Sequence, residues 1–224
     1  MTSEARSRLR GLYAITPESV DTGALASQVE RCLEGGAALV QYRAKAAAPA
    51  VALEQACRLV ALCRSFGVPL IVNDSIDLAR ASGADGVHLG RDDVSIEAAR
   101  GALPGAIVGV SCYADPSLAR YAAQKGADYV AIGSVFASST KPQAVRASLA
   151  SLGEARRVSG LPVAAIGGIT LDNADQAVAA GADMLAVITA LFAARDVRAV
   201  ARAFSDRFDR PSRENRGRSQ SRAL

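Results

Sequence analysis

With 224 residues, half of them hydrophobic and none tryptophan, the chain can bury one large core and is too apolar for a disordered protein. Its net charge of +4 is modest, and residues 205–224 alone hold six arginines against three acids, which leaves the body without a basic face for nucleic acid. No apolar stretch approaches the roughly 18 residues of a membrane span, and no signal peptide is visible. The four cysteines are scattered at neither CxxC nor zinc-ligand spacing, as expected for free thiols in a reducing cytoplasm.

In chain order, residues 1–10 read as a ragged leader. Leu12–Ile15 is a first short strand, ended by Thr16-Pro17. A helix over 22–34 carries Leu25, Val29 and Leu33 on one side and stops at Gly35-Gly36. Leu39–Tyr42 is strand two, Pro49 opens a helix to Phe66, and Pro69–Val72 is strand three. A short helix near 76–82 leads to strand four, Gly86–Leu89, and Ser95 caps another helix to about Leu103. Ile107–Val110 is strand five, ending at Ser111. Asp115-Pro116 starts a helix to Lys125, and Tyr129–Ile132 is strand six. Residues 144–158 read as helix, Pro162–Ile166 as strand seven, and 172–180 as helix. Met184–Ile188 is strand eight, and a last helix runs from about Ala190 to Phe204.

Eight βα units in sequence close into a parallel (βα)8 TIM barrel over residues 11–204, with 205–224 left as an Arg-rich, solvated tail. A doubly wound sheet would carry phosphate-binding glycines after strand one, where Thr16-Pro17 stands, and no GxGxxG or Walker sequence occurs.

In a barrel the residues just past each strand converge at the C-terminal mouth. Strand two supplies Gln41 near its end and Arg43 and Lys45 just past it, Asn73 and Asp74 follow strand three, and Arg91, Asp92 and Asp93 follow strand four. Ser111 follows strand five, Ser138, Thr140 and Lys141 follow strand six, Gly167-Gly168 follow strand seven, and Ile188-Thr189 end strand eight. Asp74 with Asp92 or Asp93 offers two carboxylates to one Mg²⁺, whose shell is completed by phosphate and water. Both acids also stand where they would cap a following helix. Arg43, Lys45 and Lys141 bring three positive charges, enough for a pyrophosphate, although Arg43 and Lys45 also fit an ordinary surface loop. The glycines after strand seven and the helix start after strand eight form a second anion site. His88, the only histidine, sits within a strand and reads either as a packed, hydrogen-bonded side chain or as a base.

LYAITP (12–17), VQYRAK (40–45), IVNDSIDLA (71–79), GVHLGRDD (86–93), GVSC (109–112), YVAIGSVFASSTKP (129–142), AIGGIT (165–170) and LAVITA (185–190) together resemble the thiamine-phosphate synthase family. The resemblance spans roughly residues 12–192. It implies a Mg²⁺-dependent transferase that joins hydroxymethylpyrimidine diphosphate to thiazole phosphate, releasing pyrophosphate and thiamine phosphate. It also implies two phosphorylated small-molecule substrates, no membrane or nucleic-acid partner, a cytoplasmic location, and leaves homo-oligomerisation open. By resemblance Gln41 addresses the pyrimidine, Asn73 the diphosphate or the pyrimidine, and Arg43, Lys45, Ser111 and Lys141 the diphosphate. Asp74 and Asp93 ligate the metal, with Arg43, Lys45 and Lys141 as catalytic cations. Ser138, Thr140, Gly168, Ile188 and Thr189 hold the thiazole phosphate. The sequence departs from the family where Arg91 replaces a glutamine and where Ser138 and Thr189 replace other hydroxyl residues. The resembling thiazole tautomerases carry a histidine after strand five, where this chain has Ser111-Cys112-Tyr113. A non-catalytic binder would have no use for both carboxylates and three cations, and a phosphosugar isomerase would leave the carboxylates idle.

Overall fold

The computed structural model describes residues 9–19, 21–137, 143 and 145–209. Ser138, Thr140 and Lys141 lie outside the described residues. Eight parallel strands pair each with the next, and the first pairs with the last, so the sheet closes: β1 (Gly11–Ile15), β2 (Ala37–Tyr42), β3 (Leu70–Asn73), β4 (Gly86–Leu89), β5 (Ile107–Tyr113), β6 (Tyr129–Ile132), β7 (Val163–Ile166) and β8 (Met184–Val187). Around it lie α1 (Thr22–Glu34), α2 (Pro49–Ser65), α3 (Ile76–Ser82), α4 (Ile96–Ala102), α5 (Pro116–Gln124), α6 (Ala150–Ser159), α7 (Ala174–Ala179), α8 (Thr189–Phe192) and α9 (Val197–Asp209).

Strand alternation divides the apolar residues into two cores. Val40, Val72, Val87, Val130, Val163 and Leu185 face the helices. Tyr13, Ile15, Leu39, Ile71, Tyr129, Ala131, Ala164, Met184 and Ala186 fill the barrel interior. Leu9, read from sequence as leader, belongs to this interior and is 2% exposed. Arg10 lies over the Phe208 ring, 5.7 Å from its centroid, which joins the start of the described chain to α9.

A repeated Gly-Ala-Asp stands before three even-numbered strands, at 83–85, 126–128 and 181–183. In each repeat the aspartate reaches back to the preceding strand. Asp85 accepts from the Leu70 N–H at 2.9 Å, Asp128 from Val108 at 2.9 Å, and Asp183 from Val163 at 3.0 Å. Strand N-termini that would bury unpaired donors are thus satisfied in pairs, β3 with β4, β5 with β6, and β7 with β8.

Four boundaries differ from the sequence reading by three residues or more. Strand five runs on to Tyr113, which adopts φ 53° and whose carbonyl accepts the Gly133 N–H. The helix expected over 144–158 begins at Ala150, because the Ala147 N–H is held by the Ser134 carbonyl. The last helix is split: α8 is one turn, and α9 starts afresh at Val197, where Asp196 accepts from the Ala199 N–H at 3.0 Å. That helix continues past Phe204 to Asp209.

All four cysteines are free, and only Cys57 is exposed. Burial pushes the thiols of Cys32, Cys63 and Cys112 up to about 12. A thiol titration of native protein at mildly alkaline pH is therefore expected to show one fast equivalent, lost in Cys57→Ser, and three more only on denaturation.

Candidate active site

The mouth is built from the β1, β2, β3, β4 and β5 ends outward. Thr16, fully buried, accepts the Arg43 N–H on Oγ1 at 2.9 Å, and its own N–H donates to the Gln41 carbonyl. This fixes where β2 releases its chain. Glu18 then gathers the next loop, accepting from the Lys45 N–H at 2.9 Å and from Arg43 Nη1 at 3.3 Å. Sequence reading missed Glu18. Its only signal is an acid immediately after Thr16-Pro17, facing a loop with two cations. Glu18→Ala is expected to cost little stability, since its pair with Arg43 is partly exposed, and to raise the KM for an anionic ligand of this mouth about tenfold.

Lys45 Nζ lies 2.9 Å from Asp74 Oδ2, and the Asp74 carboxyl is in turn hydrogen-bonded to that of Asp93. Asp74 holds φ 64°, a left-handed conformation that Asp and Asn tolerate better than other side chains, and its N–H donates to the His88 carbonyl at 2.9 Å. Asp93 is aimed by the Gly90 N–H, 2.6 Å from Oδ2. Burial pushes the Asp74 carboxyl up, but hydrogen bonds from Lys45 and Asp93 and the Lys45 charge outweigh it and hold it below the ordinary value. Burial also lifts Asp93, the Gly90 N–H partly offsets this, and the neighbouring Asp74 raises it further. The two carboxyls are pushed in opposite directions because charge on either one disfavours charge on the other.

Asp92, the other acid considered, is exposed. Arg91 is also exposed: its guanidinium lies 4.6 Å from the centroid of the Tyr113 ring, and its N–H donates to the Tyr113 hydroxyl at 2.8 Å. The extra charge at the family's glutamine position is thereby carried on an aromatic face. Among the described residues no group of three or more His, Cys, Asp or Glu side chains is placed to hold a metal ion. Two carboxylates beside an open mouth nevertheless suit Mg²⁺, which takes one or two from a protein and the rest of its shell from phosphate and water.

Beneath this charged rim runs a polar layer across the barrel. Gln41 Nε2 donates to the Tyr13 hydroxyl at 2.6 Å, and Tyr13 and Tyr129 share a hydroxyl–hydroxyl bond of 2.6 Å. Tyr129 is 2.9 Å from His88 Nδ1, and His88 Nε2 is 2.9 Å from Ser111 Oγ. Gly109 makes room for it: a Cβ there would lie 2.0 Å from the Tyr129 ring carbon Cζ. His88, 7% exposed, is the packed, hydrogen-bonded histidine of the two sequence alternatives. Gln41 is 3% exposed, while Asn73 at the end of β3 and Ser111 are half-buried.

On the opposite side, Gly167 and Gly168 follow β7 with φ 97° and 64°. The chain leaving β6 is stitched to them, Val135 N–H to the Ile166 carbonyl and Phe136 N–H to that of Gly167, both 3.0 Å. Asn173 Nδ2 donates to the Gly168 carbonyl at 2.9 Å. Ile188 and Thr189 form the start of the separate one-turn helix α8, the kind of short extra helix that follows strand eight in phosphate-binding barrels.

Comparison with known proteins gives a consistent result. The family profile described as thiamine monophosphate synthase matches residues 12–191. The thiamine-phosphate synthase of Aromatoleum aromaticum is 56% identical over 203 residues, 90% of this chain and 98% of that one. That of Methylobacillus flagellatus is 53% identical over 210 residues, covering 93% and 100%. Among solved structures, a thiamine phosphate pyrophosphorylase from Pyrococcus furiosus superposes with a TM-score of 0.81 at 36% identity over 92% of this chain and 98% of that one. A family profile that matches residues 12–191 and relatives more than half identical over nine-tenths of the chain make this barrel a member of the thiamine-phosphate synthase family.

Proposed function

We propose that the chain is a thiamine-phosphate synthase, a transferase that condenses 4-amino-2-methyl-5-hydroxymethylpyrimidine diphosphate with 4-methyl-5-(2-phosphoethyl)thiazole to give thiamine phosphate and pyrophosphate. The observation that carries this is the Lys45–Asp74–Asp93 cluster in a chain so similar to curated synthases. Asp74 and Asp93 are the residues that would hold Mg²⁺, which when bound neutralises charge on the departing pyrophosphate.

The diphosphate lies along Arg43, Lys45, Asn73, Ser111 and Lys141, with the pyrimidine against Gln41. Thiazole phosphate is held by Ser138, Thr140, Gly168, Ile188 and Thr189. The C–O bond to diphosphate ionises first, and its electron pair leaves with pyrophosphate. The 4-amino group shares the positive charge left on the pyrimidinylmethyl carbon, and the thiazole nitrogen then attacks with its lone pair. No proton has to be removed, so the side chains act by holding charge and aligning two rings. A mouth of cations and hydroxyls with its one histidine spent in the buried layer supports this reading over ring isomerisation. At the end of β5 the side chains that could replace a histidine base are Cys112, whose thiol burial pushes up to about 12, and Tyr113, whose hydroxyl accepts the Arg91 N–H. We assign the enzyme to the cytoplasm on its free thiols.

Purified protein given both substrates should release pyrophosphate and thiamine phosphate in equal amounts with Mg²⁺ present and neither with EDTA. Tight binding of thiazole phosphate without product at any Mg²⁺ concentration would instead make it a binder or an isomerase.

A further inference from the structure

The Tyr13–Tyr129 bond and both His88 bonds can each run either way, and the amide donor at one end of the polar layer is what orders them. Gln41 gives an amide proton to the Tyr13 hydroxyl. Tyr13 then has its own proton to pass on, and the atom it faces is the Tyr129 hydroxyl. Tyr129, having accepted, passes its proton to His88 Nδ1. An imidazole that accepts at Nδ1 carries its proton at Nε2 and donates it to Ser111 Oγ. Ser111 ends the series with a hydroxyl proton left over. Burial raises the phenols of both Tyr13 and Tyr129, so each link keeps the proton it hands on.

We propose that Gln41, Tyr13, Tyr129, His88 and Ser111 form one one-way hydrogen-bonded chain that holds His88 as the neutral Nε2–H tautomer, fixing Gln41 as an acceptor at one end and Ser111 as a donor at the other. Tyr129 and His88 are then positioning residues, and neither needs to reach the substrate. The two ends suit the two ends of one molecule. A Gln41 amide with nitrogen committed to Tyr13 turns Oε1 outward, the atom an exocyclic ring amine requires. A Ser111 hydroxyl relieved of donating to His88 offers its proton to a diphosphate oxygen. What the ends face rests on the proposed function, but the polarity of the chain does not.

The reverse polarity uses the same five residues and is distinguishable. Ser111 would donate to Nε2, Nδ1–H to Tyr129, and the series would end on Gln41 Oε1, with the amide nitrogen outward and no serine proton for an anion. The two cases place the imidazole proton on opposite nitrogens. Because His88 is the only histidine, protein made without a histidine tag and with ¹⁵N-imidazole histidine gives a single-residue long-range ¹H–¹⁵N spectrum. The expected spectrum of the free protein at neutral pH has a protonated Nε2 and a bare Nδ1. A proton on Nδ1, or on both nitrogens, overturns the proposal whether or not the protein makes thiamine phosphate.

Tyr129→Phe keeps the ring and removes the link. It should shift the tautomer balance of His88 and raise the KM for pyrimidine diphosphate about tenfold with the KM for thiazole phosphate unmoved. A wild-type spectrum together with a wild-type KM would also overturn the proposal. His88→Gln can accept from Tyr129 and donate to Ser111, whereas His88→Leu can do neither. Gln should therefore recover most of the pyrimidine KM that Leu loses, and equal losses in two variants that melt alike would remove the directional role.

Discussion

Asp74→Asn is expected to lower kcat/KM for thiamine phosphate formation by about a thousandfold, about 4 kcal/mol of transition-state stabilisation, and to leave the fold intact. Asparagine has the same shape and is the other residue that accepts the φ of 64° found here, so the backbone has no reason to move. What goes is the charge. The Lys45 ammonium loses its partner at 2.9 Å, and the pair of carboxylates that would share Mg²⁺ becomes a single one. Lys45 and Asp74 are both partly exposed, so their ion pair contributes at most about 1 kcal/mol to stability. Removing a like charge from beside Asp93 offsets that loss, and the variant should melt at or above the wild-type temperature. Such a trade, activity lost and stability kept, is the pattern of a site whose charges are held together for chemistry. Asp92→Asn is the control. That side chain is exposed, and its loss should change kcat/KM less than about twofold. Equal losses in the two variants would remove the assignment of Asp93, rather than Asp92, as the partner of Asp74.

The barrel itself was legible because eight short, mostly apolar runs, all but the first introduced by a helix stop, admit little else, and the parallel order β1 to β8 follows from short βα connections. The meeting of Lys45 with Asp74 was legible for a similar reason: residues one to four positions past a strand have nowhere to go but the mouth. Sequence stopped short wherever a partner came from elsewhere in the chain. Tyr13 and Tyr129 look like ordinary strand aromatics until closure brings residues 116 positions apart within a hydrogen bond. Glu18 has no local reason to matter, since its partners are the loop between β2 and α2. Leu9 reads as leader because its burial depends on the barrel end it closes. The break between α8 and α9 was written in Arg195-Asp196, an N-cap inside an otherwise helical run, and the apolar periodicity on either side concealed it. His88 was undecidable from sequence because a strand histidine shows its partners only when the neighbouring strands are in register. Here Asn73 and Gly109 flank it on either side.

Gly168→Ala should produce the second large effect, this time through packing. Two requirements fall on the residue at once. Its φ of 64° costs an L-residue about 1–2 kcal/mol, and a Cβ there would sit 2.0 Å from the Ala137 carbonyl oxygen, which is backbone and has no rotamer to yield. The segment that must move is the one that leads from β6, past Val135 and Phe136, into the hydroxyl-rich stretch assigned to thiazole phosphate. The KM for thiazole phosphate should therefore rise at least about tenfold while the KM for pyrimidine diphosphate changes little, with a loss of about 2–4 kcal/mol in stability. Gly160→Ala separates the two causes. Gly160, at the end of α6, has nearly the same φ, 66°, and nothing within 4 Å of its Cβ position, so it carries the conformational cost without the collision. It should lose about 1 kcal/mol and keep both KM values. If Gly168→Ala proves no worse than Gly160→Ala on either measure, the close approach of residues 136–137 to Gly168 is not what shapes that side of the mouth.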